Sequence, residues 1–490
     1  MNNKKNIVYI IVITGLIIIL GVIWFLIINN NNSSSSSNAN TSNNNGHTNP
    51  NSSISYSSAK EITTSENIDG ENFKSDSADE NAITLSGNIT STLSNITIEK
   101  TGDSDGGDST SFYGTNSAIL AKDGAVVTIK NANITTNATG ANGVFSYGGS
   151  AKTNNSSSDG TTVNISDSTI TTSKGNSGGI MTTGGGTTNA KNLTITTSGQ
   201  SSAAIRSDRG GGTVNIDGGT YTSNGVGSPA IYSTAEITVK NAKLVSTTSE
   251  GAIIEGKNSI TLENVELTDS NIKNVKSKTY KNIFIYQSMS GDAAEGVATF
   301  TAKNSTITTN NGDSIYVSNT SAVINLENNK FINNDSNGYF FRAQKDSWGK
   351  EGSNGGKATL NLTNQDIEGN IGVDEISSLV MNMTSSIFKG MIDAKDGNVT
   401  LNTSNQTISG DIVVDNISTL TMKLADGSSY TGTINSANTA KTLALTLDSS
   451  STLTLTGDTY ISSLNNSVSD NSNINLNGYK LYVNGVELKK

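Results

Sequence analysis

The chain has 490 residues and a formal net charge of −10, from 42 acidic against 32 basic side chains. No basic patch interrupts that excess, which argues against a nucleic-acid partner, because phosphate recognition needs clustered Lys and Arg. Cysteine is absent, so disulfides and thiolate metal sites are excluded; the single histidine, His47, sits in a polar tract, which leaves no histidine for acid–base work further along.

In chain order, residues 7–28 hold no charged side chain and are almost entirely apolar. At about 1.5 Å per helical residue, that length suffices for a ~30 Å hydrocarbon core. Lys4 and Lys5 precede the stretch and no basic residue follows until Lys60. The positive-inside rule therefore predicts a signal-anchor helix with a cytoplasmic N-terminus and an extracellular body. Cleavage of this segment would make the protein secreted, but the apolar run exceeds that of an ordinary signal peptide. Residues 29–58 are rich in Asn and Ser and read as a disordered linker.

From residue 59 to 490 one phrase returns with a roughly 20–26-residue period, the signature of a solenoid built from stacked coils. It is clear in 127–136 (VTIKNANITT), 163–172 (VNISDSTITT) and 237–246 (ITVKNAKLVS). Apolar–polar alternation around Ile129, Ile165, Ile216, Val239 and Leu262 predicts a first strand. Five residues on, Ile134, Ile170, Tyr221, Leu244 and Leu267 mark a second. Between them stands an Asn, Asp, Gly or Ser: Asn131, Asp167, Asn192, Gly218, Asn241, Asn264, Asn304, Asn328, Asn364, Ser385, Asn405 and Asp426. Asn, Asp and Gly tolerate the left-handed backbone of a tight corner, and stacked Asn side chains bond from coil to coil.

A tight corner carrying a stacked Asn ladder resembles the right-handed parallel β-helix of the pectate-lyase-like superfamily, in its bacterial adhesin and polysaccharide-binding style. The resemblance covers residues 80–490 and implies an all-β solenoid of about fifteen coils. It leaves activity open, since that superfamily holds lyases, hydrolases, adhesins and non-catalytic binders. Within the body, residues 80–360 form a loop-decorated half and 361–490 a more regular half closed by a polar cap.

A third strand carries a G-I element, as in 143–145, 179–181 and 204–206. Its apolar centre points inward, so the next residue points outward. That outward series reads Phe145, Met181, Arg206, Tyr232, Glu255, Tyr286, Tyr316, Arg342. Long insertions leave the same strand between Val144 and Ile165, Ile285 and Ala302, and Phe341 and Leu362; Trp348 lies in the last. All three arginines of the chain, Arg206, Arg209 and Arg342, fall on or just after this strand. Insertions gathered on one face of a solenoid mark its binding face. The expected ligand site is therefore Phe145, Arg206, Arg209, Tyr232, Glu255, Tyr286, Tyr316, Arg342 and Trp348, with aromatic rings for sugars to stack on and guanidinium forks for their polar groups.

Asp103, Asp105 and Asp108 lie close in sequence and form a weak candidate for Ca²⁺, without the downstream bidentate Glu of an EF-hand loop. No other cofactor is expected. The function expected from these features is that of a membrane-anchored, extracellular, adhesin-like protein, non-catalytic, that binds a polysaccharide or surface glycan. The alternatives are a polysaccharide lyase acting on an acidic glycan and a structural stalk without ligand.

Overall fold

The computed structural model describes residues 54–104, 107–150, 157–272, 280–346 and 355–489. Residues 7–28, most of the linker, Asp105 and Trp348 lie outside that range. Among the described residues no helix is long and apolar enough to cross a membrane.

Three strand positions recur in each coil and pair in parallel with the same position in the next. In the first sheet, Leu93, Ile129, Ile165, Ala190, Ile216, Val239 and Leu262 follow one another in register. In the second sheet, Ile98, Ile134, Ile170, Ile195, Tyr221, Leu244 and Leu267 do the same. These side chains are buried in one continuous apolar core. Period-two alternation explains the result: every second residue enters a narrow interior, and the intervening Thr, Asn and Lys face out. An all-β parallel solenoid follows, as the repeat predicts. The described C-terminal end closes with an antiparallel hairpin, Leu481–Val483 against Val486–Glu487.

All twelve corner residues named above adopt the left-handed backbone, with φ between 47° and 79°. Their side chains stack as expected: the Asn131 amide donates to Asn95 Oδ1 at 3.2 Å, and Asn328 to Asn304 at 2.7 Å. Gly218 interrupts the ladder, and Asn241 reaches Asp217 instead, at 2.7 Å.

Two further ladders were not foreseen. On the outer surface of the first sheet, Asn215 donates to Asn189 and Asn189 to Asn164, each at 2.9 Å; Asn402, Asn382, Asn361 and Asn325 form a second run. Inside the corner before the third sheet, a column of serines caps backbone N–H groups. Ala141 N–H donates to Ser177 Oγ, Ser177 N–H to Ser202 Oγ, and Ser202 N–H to Ser228 Oγ, at 2.8–3.0 Å. A buried corner cannot use water, so small hydroxyls satisfy it.

Candidate functional site

The third sheet places Leu120, Phe145, Met181, Arg206, Tyr232, Ile253, Phe284, Tyr316 and Arg342 in one outward column. This corrects the expected series at two points. Tyr232 pairs with Ile253 rather than Glu255, and Tyr316 with Phe284 rather than Tyr286. The segment AIIE offers two inward residues, Ala252 and Ile254, and KNIFIY offers Ile283 and Ile285. A shift of two residues keeps every apolar side chain inside, so alternation alone does not choose between the registers. Glu255 and Tyr286 face outward one pleat further along and pair with each other.

Outward does not mean exposed here. Phe145 is 0% exposed and packs with Leu120 and Met181 beneath Tyr56 and Tyr147. The short helix Asp108–Tyr113 lies nearby: Gly114, just after it, approaches the Phe145 ring. Tyr316, also 0% exposed, walls in a buried lysine. Lys281 Nζ lies 4.1 Å from the Phe284 ring centre, 4.8 Å from that of Tyr316, and 3.5 Å from Asp346 Oδ2. Arg342 stacks on Tyr339 at 3.8 Å and bonds Asp313 and Asp374 at 2.7 and 3.2 Å. Phe145 and Tyr316 are thus not stacking platforms, and Arg342 is a brace. Tyr56 and Tyr147 cover one part of the outer face, and Ile253, Phe284, Tyr286 and Tyr316 bury one another in a second apolar cluster, because covering rings removes their surface from water.

Over the coils that carry Arg206, Tyr232 and Glu255 lies a cavity of about 470 Å³. Arg206, Asp208, Tyr232, Glu250, Ile253, Glu255, Phe284, Tyr286, Ser288, Ser290 and Asp292 contribute to its walls. Four expected site residues, Arg206, Tyr232, Glu255 and Tyr286, meet there. Arg209 stands behind Asp292: its guanidinium bonds Asp292 Oδ1 through Nε at 3.1 Å and Nη2 at 2.5 Å, and lies 4.1 Å from the Phe112 ring centre. Arg206 Nη2 bonds Asp208 Oδ2 at 2.9 Å, and Nη1 bonds the Ser201 carbonyl at 3.2 Å.

Glu255 is 1% exposed and its partners are hydroxyls. Tyr232 and Tyr286 donate to Oε2, the latter at 3.3 Å; Ser288 and Ser290 donate to Oε1, the latter at 3.4 Å. Burial pushes the Glu255 carboxyl above its usual range, against the pull of the Ser288 and Tyr232 hydroxyls. Burial likewise pushes Asp208 up to about 6, with Arg206 opposing and with Asp292 and Glu255 adding repulsion. Both phenols, Tyr232 and Tyr286, are held protonated by burial and by Glu255.

Asp292, Ser288 and Ser290 were not anticipated. They sit in the insertion after Ile285, and the Arg209–Asp292 bridge spans 83 residues of sequence. The insertion's exit edge was legible; which of its side chains turns back over the sheet was not.

Of the candidate Ca²⁺ ligands, Asp103 accepts the Thr139 N–H at 2.7 Å and Asp108 opens the short helix. Among the described residues, no three acidic groups cluster closely enough to hold a metal ion. A second cavity of about 440 Å³, lined by the Gly210–Gly212 backbone, Thr213, Lys257 and Asn258, shares Asp292 with the first.

No family model, characterised protein or solved structure matches this chain.

Proposed function

We propose that this chain is a surface glycan-binding protein that takes its ligand in the Arg206–Asp292 cavity. The cavity carries this reading: one partly open pocket sets an aromatic wall of Tyr232, Phe284 and Tyr286 against Arg206, Asp208 and Asp292. Sugar rings need that combination of an apolar face and hydrogen-bonding rim. A second cavity sharing Asp292 favours an oligosaccharide segment over a single sugar. In this reading the solenoid is the right-handed, pectate-lyase-like form, and residues 7–28 anchor it with the body outside the cell.

A catalytic reading also has an observation behind it: Asp208 is pushed up to about 6 within electrostatic reach of Glu255 and Asp292. Carboxylates held apart in proton affinity serve acid–base cleavage of glycosides. The lyase variant is less well supported, because Arg206 and Arg209 are already engaged by Asp208 and Asp292.

The test is a glycan array probed with the full chain, then repeated with Tyr232→Ala and Arg206→Ala. Loss of a ring contact and of a charged hydrogen bond predicts at least about tenfold weaker binding in each, or roughly 1.4 kcal/mol. No bound glycan, or unchanged affinity in both folded variants, rejects the proposal. New reducing ends or unsaturated products from a bound glycan would establish the catalytic reading instead.

A further inference from the structure

We propose that the Arg206–Asp292 cavity selects saccharides bearing a protonated amine, that is, amino sugars left un-acylated, over neutral and uronate-bearing ones. The proposal rests on the glycan-binding reading above and names the ligand class of that same site.

The charge inventory of the walls is one-sided. Asp208, Glu250, Glu255 and Asp292 line the cavity, against Arg206 alone. Arg206 is engaged by Asp208 and the Ser201 carbonyl, and Arg209, behind the wall, by Asp292 and the Phe112 ring. The charge of each guanidinium is already matched by a carboxylate, so an incoming uronate meets no net positive charge there, although Arg206 keeps N–H groups for a sugar hydroxyl. Glu255 makes no ion pair among the described residues; its partners are the hydroxyls of Tyr232, Tyr286, Ser288 and Ser290. A buried carboxylate stabilised only by neutral donors gains most from an arriving cation, because low surrounding polarity strengthens the attraction.

The acids also repel one another. Asp292 and Glu255 both raise Asp208, and Asp292 raises Glu255. A cation between them relieves that repulsion. Among the described residues the acids are not clustered tightly enough to share a metal ion. The cavity of about 470 Å³ has the size of an organic ligand's site. An extended cation with a ring body therefore fits better than a bare metal. Tyr232, half-buried at the wall, adds an aromatic surface that suits both a sugar ring and an ammonium group. The chain's net charge of −10 works against a uronate polymer in the same direction.

Titration calorimetry of the full chain at pH 6.5 decides the matter. The probes are glucosamine, N-acetylglucosamine and galacturonate oligomers of equal length, with oligolysine as a non-sugar ammonium. The expected result is at least about tenfold tighter binding of the glucosamine oligomer than of the other three. Glu255→Gln keeps the shape of the side chain and removes its charge. It should reduce the preference over the N-acetylated oligomer to about threefold or less. Should the variant not fold, salt separates the cases in the unaltered protein: raising it must weaken the glucosamine oligomer and spare the N-acetylated one. Equal or tighter binding of the N-acetylated or uronate oligomer overturns the amine selectivity and leaves the glycan reading standing. Tighter oligolysine binding overturns the sugar part of the proposal. Binding of none of the three sugars overturns both.

Discussion

Asp208 ties the cavity to stability as well as to ligand. Its carboxyl titrates at about 6 in the folded chain, against 3.8 for a free side chain. A carboxyl raised in this way favours folding while protonated, and that contribution is lost as pH rises from about 4 through 6. The loss amounts to roughly 3 kcal/mol for two pH units of separation. Asp208→Asn removes the group, so its unfolding free energy should fall less between pH 4 and 7 than that of the unaltered chain. Denaturant midpoints across that range measure this, and parallel curves would refute it. Asp269, pushed up to about 7 by burial, contributes a slope of the same sign in both proteins and cancels in the comparison. The residue scale is also where sequence reading was least complete. Alternation told which side of the sheet Phe145, Tyr316 and Glu255 occupy. It carried no information on whether an insertion would cover them, because covering depends on contacts such as Arg209–Asp292 between distant segments. It was equally silent on the two-residue choice that places Ile253 beside Tyr232.

The corner is the element the sequence specified most tightly. Its twelve aligned positions are all left-handed, and Asn amides among them bond across coils. Asn131 illustrates the energetics. Alanine there would meet the left-handed penalty of about 1–2 kcal/mol and lose a ladder bond worth about 1 kcal/mol. Glycine removes the bond but adopts the backbone freely. Asn131→Ala should therefore destabilise more than Asn131→Gly in chemical denaturation; an equal or smaller loss for alanine would show that the left-handed backbone does not govern the corner. The serine column at the opposite corner escaped notice for a physical reason. Ser177, Ser202 and Ser228 stand among many serines, and nothing local separates a hydroxyl that caps a buried N–H from one that meets water.

At the scale of the molecule, each coil touches mainly its neighbours, so damage should stay local. Leu424→Ala, deep in the regular half, removes a buried anchor and should cost about 2–5 kcal/mol in its own coils. Hydrogen exchange should quicken around residues 400–450 and stay unchanged around Arg206–Asp292, with ligand affinity intact. Loss of protection at the cavity would contradict the one-dimensional picture. The solenoid also has a direction that its backbone does not supply, since sheet dipoles largely cancel. Asn131 donates to Asn95 and Asn95 to Asp69; Asn192 donates to Asp167; Asn264 donates to Asn241 and Asn241 to Asp217. On the first sheet, Asn402 leads through Asn382 and Asn361 to Asn325. Every one of these amides points its hydrogen toward the N-terminal end. Aligned head to tail, they add along the axis as peptide units do in a helix, positive toward the N-terminus. Three of the runs finish on a carboxylate, Asp69, Asp167 or Asp217, as an anion sits at the start of a helix. The ladder thus gives this β-structure an electrical polarity along its axis, with acidic side chains seated where its positive ends emerge.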